Sequence, residues 1–350
     1  SDGNVLVSPA SVYLALAMTL NGADSSTRQA MITALSSAGL TVEQINAASR
    51  DWMTLLMNTG GKTKLSIANS IWYREGFNAD PDFLQRNADY FAAGARTLDF
   101  NKPESADVIN SWVENATNGT IDTIIDEINP DMVMYLINAV YFKAEWLNKF
   151  EANNTREQIF VTDSGEVNTK FMNKIGGMSF LQSDEAEGVL LPYSDGRFAF
   201  IALLPSGGAT PRELVESQNA EWLANLLRNR SQASIELSLP KFETSFEISL
   251  VNALTNLGMG EAFAGNMADF SLMNVERRTN LYLSEVKHKT FARIDEAGTE
   301  AAAVTSVGVG VTSVPVGDIK MDFNRPFLYG IIDTITGLPL FLGVLDNPAE

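Results

Sequence analysis

DEAGTEAAAVTSVGVGVTSVP, residues 295–315, is the stretch on which the reading of this chain turns. It opens on acids and a glycine, passes through alanines, and closes on valines separated by glycine, threonine and serine. In an extended backbone, successive side chains point to opposite faces. Over 299–311 one face then carries Thr299, Ala301, Ala303, Thr305, Val307, Val309 and Val311, all small or β-branched and none charged. The other carries Glu300, Ala302, Val304, Ser306, Gly308 and Gly310. No proline occurs before Pro315, so the backbone N–H groups up to there can all join a ladder. The same small residues also suit an exposed loop, because they anchor little and the glycines raise backbone entropy. A linker is the plain alternative, but a linker has no reason to keep one face free of charge or to omit lysine and proline. A segment suited both to a loop and to a buried strand is a two-state element.

The rest of the chain narrows what such an element serves. Its 350 residues are 45% hydrophobic, ample for a large core. There are 43 acidic and 25 basic side chains, a formal net charge of -18. An acidic surface repels nucleic acid, anionic lipid and polyanionic cofactors, so neither nucleic acid nor membrane is expected as a partner. Without cysteine there are no disulfides, thiolate zinc sites or cysteine nucleophiles. The single histidine, His288, lies in LSEVKHKTF, a predicted strand, and no nucleophile-elbow motif accompanies it. A histidine hydrogen-bonded within the sheet is the favoured reading, and no enzyme is expected. A metal would need a carboxylate cage. Asp122 and Asp126 are available but read as a solvated face, so no metal and no cofactor are expected. GGKTK at 60–64 lacks the phosphate-loop spacing and reads as a turn. N-x-S/T matches at Asn115, Asn118, Asn153 and Asn229 are read as chance. No apolar run reaches transmembrane length. The start, SDGNVLVSPAS, shows no leader pattern and reads as though a fold were already under way.

Periodicity places helices early and strands late. Ser8-Pro9 predicts a helix start ahead of VYLALAMTL, stopped at Asn21-Gly22. Further helices are predicted at Thr27–Leu35, through TVEQINAASRDWMTLLMNTG to Gly60, at Asp80–Tyr90, at Glu104–Glu114 and within ISLVNALTNLG. KLSIANSIWYR puts Leu65, Ile67, Asn69 and Ile71 on one face of a strand. MVMYLINAVYF, 132–142, predicts a central strand buried on both faces. From about Gln158 the chain is β-rich. LYLSEVKHKTFARIDE predicts a long strand, and the tail predicts two strands around a Thr-Gly turn. Without regular alternation this is α+β, and with no linker it is one domain over 1–350.

Several long motifs, in order, make the chain resemble the serpin family over nearly its whole length. They are SPASVYLALAMTLNGA at 8–23, NAVYFKAEW at 138–146, KHKTFARIDEAGTEAAAVT at 287–305 (the family pattern has valine first), FNRPFLYGI at 323–331 and PLFLGVLDNP at 339–348. The match reads as a prokaryotic inhibitory member. The resemblance implies a large, mainly five-stranded central sheet, further β-sheets, about eight or nine helices and a mobile reactive loop at about 296–318. Glu296 begins that loop. Gly298, Thr299, Glu300, Ala301, Ala302 and Ala303 match the hinge of inhibitory members without a break.

The resemblance also implies a mechanism. A protease cleaves the exposed loop and forms an acyl-enzyme. The freed loop enters the large sheet as a new strand, and the dragged protease is distorted before it can deacylate. Counting from Glu296 at the family's common spacing puts the reactive bond at Thr312-Ser313. Counting back from FNRPF puts it nearer Pro315. Thr312-Ser313 is preferred because proline before the cut makes a poor substrate. With no Arg or Lys there, and Lys320 too distant, the expected target is an elastase-like or subtilisin-like serine protease, with papain-like cysteine proteases still open. Ser8, Ser11, Asn138 and His288 match a hydrogen-bond cluster that controls sheet opening, and Trp146 matches a tryptophan where the loop enters. A secreted monomer is expected, acting outside the cell or at its surface. The family's first helix, which precedes SPAS, is absent from the chain as given, which raises the expectation of a latent form with the intact loop inserted. The runner-up is a non-inhibitory serpin with a carrier, chaperone or storage role.

Overall fold

A computed structural model describes residues 3–60, 62–299 and 317–350. The chain opens on β1 (Val5–Val7), then α1 (Pro9–Leu20), α2 (Ser25–Ala34) and α3 (Val42–Met57). Next come β2 (Lys64–Arg74), α4 (Pro81–Phe91), β3 (Gly94–Leu98), α5 (Glu104–Ala116) and β4 (Met134–Glu145). Strands then dominate: β5 (Arg156–Thr162), β6 (Gly165–Gln182), β7 (Ala186–Pro192) and β8 (Phe198–Pro205). Helices α6 (Pro211–Ser217) and α7 (Ala220–Arg228) precede β9 (Ser231–Pro240), β10 (Phe242–Ser249) and the short α8 (Val251–Leu254). The order ends with β11 (Lys287–Ile294), β12 (Gly298–Thr299), β13 (Ile319–Asp322), β14 (Phe327–Asp333) and β15 (Pro339–Leu345). The architecture is α+β, with eight α-helices among the described residues.

Local chemistry sets the helix starts. The Ser8 hydroxyl accepts the Ser11 N–H, with Pro9 in the first turn. Thr41 and Gln44 form a capping box that opens α3. Asp80 caps α4 through the N–H groups of Asp82 and Phe83. Each cap satisfies donors that the first helical turn leaves unpaired.

The strands form two sheets. One has the order β10-β11-β12-β4-β2-β3: five strands of at least five residues, plus the two-residue β12. The expected mainly five-stranded sheet is this one. The other is larger by strand count, running β1-β15-β14-β8-β7-β6-β9-β13 with β5 on β6. Its centre, β8 and β14, is buried along its whole length. The tail hairpin is present, β14 against β15, and Gly337 takes the left-handed φ of +74° that its turn requires. α1 packs on one face of the six-stranded sheet. α5 packs on the other, over Trp72, Ile137 and Ala139.

Two sequence expectations need correction. β4 is not buried on both faces: Ile137 and Ala139 are covered beneath α5, but Leu136 and Asn138 are only half-buried because they border a cavity. The long strand through LYLSEV is also shorter than expected, and the ladder begins at Lys287. Its neighbour β10 stops at Ser249, opposite Lys287, where the chain turns into α8. The cavity lies on the other side, so residues 281–286 have no strand to pair with among the described residues.

Candidate functional site: the slot between β4 and β11

β4 and β11 stand one strand apart, and only the upper end of the gap is filled among the described residues. Gly298 pairs with Glu145, and Thr299 pairs with Ala144 on one side and Ile294 on the other. Glycine is required here, because a Cβ on residue 298 would lie 2.0 Å from the Ala144 carbonyl oxygen. The turn before it is tied by Asp295, whose carboxylate accepts the N–H groups of Ala297 at 2.8 Å and Gly298 at 3.2 Å. Burial pushes the Asp295 carboxyl above its usual range, against the pull of those two donors.

Trp146 roofs this end. Its backbone N–H donates to the Ala297 carbonyl at 3.0 Å and its indole N–H to the Asp295 carbonyl at 2.8 Å. The indole lies flat on Tyr193, with centroids 4.8 Å apart, and edge-on to Phe200. The Tyr193 hydroxyl hydrogen-bonds the Thr299 hydroxyl, and burial pushes the phenol far up, so it stays neutral. Glu296 is held by the Lys241 ammonium at 2.7 Å and the Thr155 hydroxyl at 2.7 Å. Burial pushes its carboxyl up, but those partners together outweigh it and hold the group below its usual range.

The lower end is a cavity of about 570 Å3. α1 forms its floor, Met134–Asn138 and Tyr282–Lys289 its walls, and residues between 124 and 132 its roof. Ser8 N–H donates to His288 Nε2 at 3.0 Å, so the ring proton of the neutral imidazole sits on Nδ1. Burial pulls the His288 pKa down to about 4. Asn138 donates to Asn69 Oδ1 at 2.7 Å, and Asn69 donates to the Phe91 carbonyl at 2.7 Å. The Asn138 Oδ1 is buried without a partner among the described residues. An orphaned acceptor of this kind costs about 1–3 kcal/mol. Among the described residues no ladder joins β4 directly to β11. Anything that fills or closes this stretch can supply the missing donors. His288 Nε2 is already engaged as an acceptor, so the site has the makings of a mechanical device rather than of acid–base chemistry.

The structure brings together Ser8, Ser11 and His288, but gives Asn138 to Asn69 instead of to the imidazole. It places Trp146, Glu296, Gly298 and Thr299 together at the upper end. Ala297–Thr299 is buried and paired, so the start of the predicted loop is not exposed. Glu300, Ala301, Ala302, Ala303 and the bond Thr312-Ser313 lie outside the described residues, as does the question of a latent form. Lys241, Thr155, Tyr193 and Asn69 were not singled out from sequence. Only Asn69 carried a signal, as the polar residue set among Leu65, Ile67 and Ile71 on one face of β2. Among the described residues no cluster of His, Asp and Glu is arranged to hold a metal, and no helix is long and apolar enough to cross a membrane.

A sheet with a strand-wide slot and Gly298-Thr299 seated at its head fits one class of protein, the serpins. A family model described as Serpin (serine protease inhibitor) matches residues 1–348, and the chain belongs to this family. Its members are in general protease inhibitors rather than enzymes. An uncharacterized serpin-like protein, TK1782, of Thermococcus kodakarensis is 31% identical over 360 residues, covering 100% of this chain and 82% of that protein. The thermophilic serpin Tengpin in its native state is 38% identical with a TM-score of 0.90, covering 99% of this chain and 89% of that one. The same protein in its latent state gives a TM-score of 0.85, covering 99% and 92%. Thyroxine-binding globulin in complex with thyroxine is 26% identical with a TM-score of 0.87, covering 100% and 94%. That last structure is of a hormone-binding globulin holding its hormone, so the fold alone does not decide the role.

Proposed function

We propose that this chain is an irreversible suicide inhibitor that traps a protease by inserting its cleaved loop between β4 and β11. The observation that carries the reading is the seating of Gly298 and Thr299 at the head of a slot whose lower half is a cavity. The residues that follow in sequence carry a face without charge, suited to burial as the missing strand. Filling the slot completes two ladders and covers the half-buried wall of β4, which supplies the driving free energy. The reactive bond is Thr312-Ser313, and the target is an elastase-like or subtilisin-like serine protease. The inhibitor acts as a monomer, outside the cell or at its surface.

The test is direct. The protein is mixed with an elastase-like and a subtilisin-like protease, denatured, and resolved by gel and mass spectrometry. A denaturation-resistant complex, with a released peptide starting at Ser313, is expected. Cleaved chain with no complex from any protease tried would sink the inhibitory reading. It would favour the second reading, a carrier, for which thyroxine-binding globulin is the precedent.

A further inference from the structure

The roof of the cavity is a strap formed by residues 117–133, which connect α5 to β4. Ile121, Ile125 and Ile128 pack with α5 and with Ile137 and Ala139 of β4, on the face opposite α1. Asn110 of α5 pins the strap on the β4 side. Its Oδ1 accepts the N–H groups of Ile124 at 2.9 Å and Ile125 at 3.0 Å, and its amide donates to the Ile125 carbonyl at 2.8 Å. On the far side the strap reaches over to the β11 wall. Asp126 pairs with Lys287 at 2.9 Å, and the Ser284 hydroxyl meets the Met132 sulfur at 2.8 Å. A strand that fills the lower half of the slot must therefore pass between α1 and this strap.

We propose that Asp126 and Lys287 are positioning residues that latch the strap across the slot and set the rate at which a strand fills its lower half. This rests on the strand-insertion reading above. The Asp126 side chain is 78% exposed and that of Lys287 is 27%, so the latch is weak, fast to open and sensitive to salt. When it opens, Glu247 receives the freed ammonium, since it already lies 3.6 Å from Lys287 and 3.5 Å from Lys289. The bridge therefore retards filling without locking the slot.

The probe is an N-acetylated synthetic peptide with the sequence of residues 299–311, its uptake followed by mobility on native gels. At low ionic strength, Asp126→Asn takes up the peptide about two- to fivefold faster than wild type, the range expected for loss of an exposed ion pair. The advantage disappears at high ionic strength, and the conservative variant Asp126→Glu, which keeps the ion pair with Lys287, stays near the wild-type rate. Equal rates at low ionic strength, including no uptake by any variant, overturn the latch, and so does an acceleration that salt leaves unchanged. Protease trapping is measured on the same samples. If peptide rates separate but nothing is trapped, the inhibitory reading falls and the latch stands. If proteases are trapped but peptide rates do not separate, the latch falls alone.

Discussion

The two ends of the slot between β4 and β11 are built from opposite materials. The upper end is crowded: a glycine pressed on a carbonyl, a tryptophan stacked on a tyrosine, and a glutamate shared between an ammonium and a hydroxyl. The lower end is a cavity that holds an acceptor without a partner, under a strap fastened by an exposed ion pair. The same two strands border both ends, so the difference lies in what has been placed between them. The head of the site is paid for with packing, while its foot holds contacts still to be made. In such a sheet, removing a group at the head should cost stability, and removing one at the foot should change how readily the gap is filled.

The sharpest way to break this comparison is Trp146→Ala. It removes the stack on Tyr193, the edge contact with Phe200 and the indole donor to Asp295. A buried Trp-to-Ala change costs about 3–5 kcal/mol. Asn138→Ala at the foot should cost far less. It gives up one hydrogen bond to Asn69 but also deletes an acceptor that is buried and unpaired. Urea unfolding of the two variants decides. If Asn138→Ala costs as much as Trp146→Ala, the two ends are not different in kind.

A smaller effect is expected from Gly298→Val. The new Cβ would have to share space with the Ala144 carbonyl, and overpacking of this kind costs about 1–3 kcal/mol. The cheapest relief is to unseat Gly298 and Thr299 from β4. On the proposed function, protease complexes should then fall and cleaved inhibitor rise, at unchanged overall cleavage. The ratio of the two bands on a denaturing gel reads this, and an unchanged ratio would show that the seated glycine does not matter to trapping.

The parts of this site that were legible in sequence are those written in consecutive residues. The stretch from Asp295 alternates and is free of lysine, so its fitness as a strand shows in the letters alone. NAVYFKAEW carries Trp146 and Asn138 together, and Ser8-Pro9 announces α1 before any contact is known. What was not legible depends on separation in space. Lys241 sits at the corner between β9 and β10, and nothing near it in the chain points to Glu296. Tyr193 reads as one more buried aromatic until the indole is laid upon it. The cavity is the clearest case. The apolar run of β4 is the same whether its edge is paired or open, so the sequence predicted two buried faces. LYLSEV likewise alternates well enough for a strand, but β10 ends and the slot begins where its partners would be.

The mildest test concerns His288 and acid. Burial lowers its pKa from 6.5 to about 4, and the neutral ring accepts the Ser8 N–H. In the unfolded chain the imidazole binds a proton near pH 6.5, while in the folded chain it stays neutral down to about pH 4. Between these values the unfolded state holds the extra proton, so stability rises with pH. The contribution of the neutral ring is complete above pH 6.5, declines as pH falls, and is gone below about pH 4. Each pH unit within the window is worth about 1.4 kcal/mol, so wild type should lose about 2 kcal/mol between pH 7 and pH 5 from this group. Working above pH 5 keeps most carboxylates out of the measurement. His288→Gln should flatten the slope of urea-unfolding stability over that range, and a slope that persists would assign the acid sensitivity to other groups. His288→Ala also removes the acceptor from the head of α1 and loosens the foot of the slot. On the proposed function, it should shorten the lifetime of the inhibitory form during mild heating, since a looser foot is filled sooner. Trp146→Ala acts at the other end and should lower stability without this pH signature. The two kinds of failure, loss of order at the head and early filling at the foot, can therefore be told apart in one set of samples.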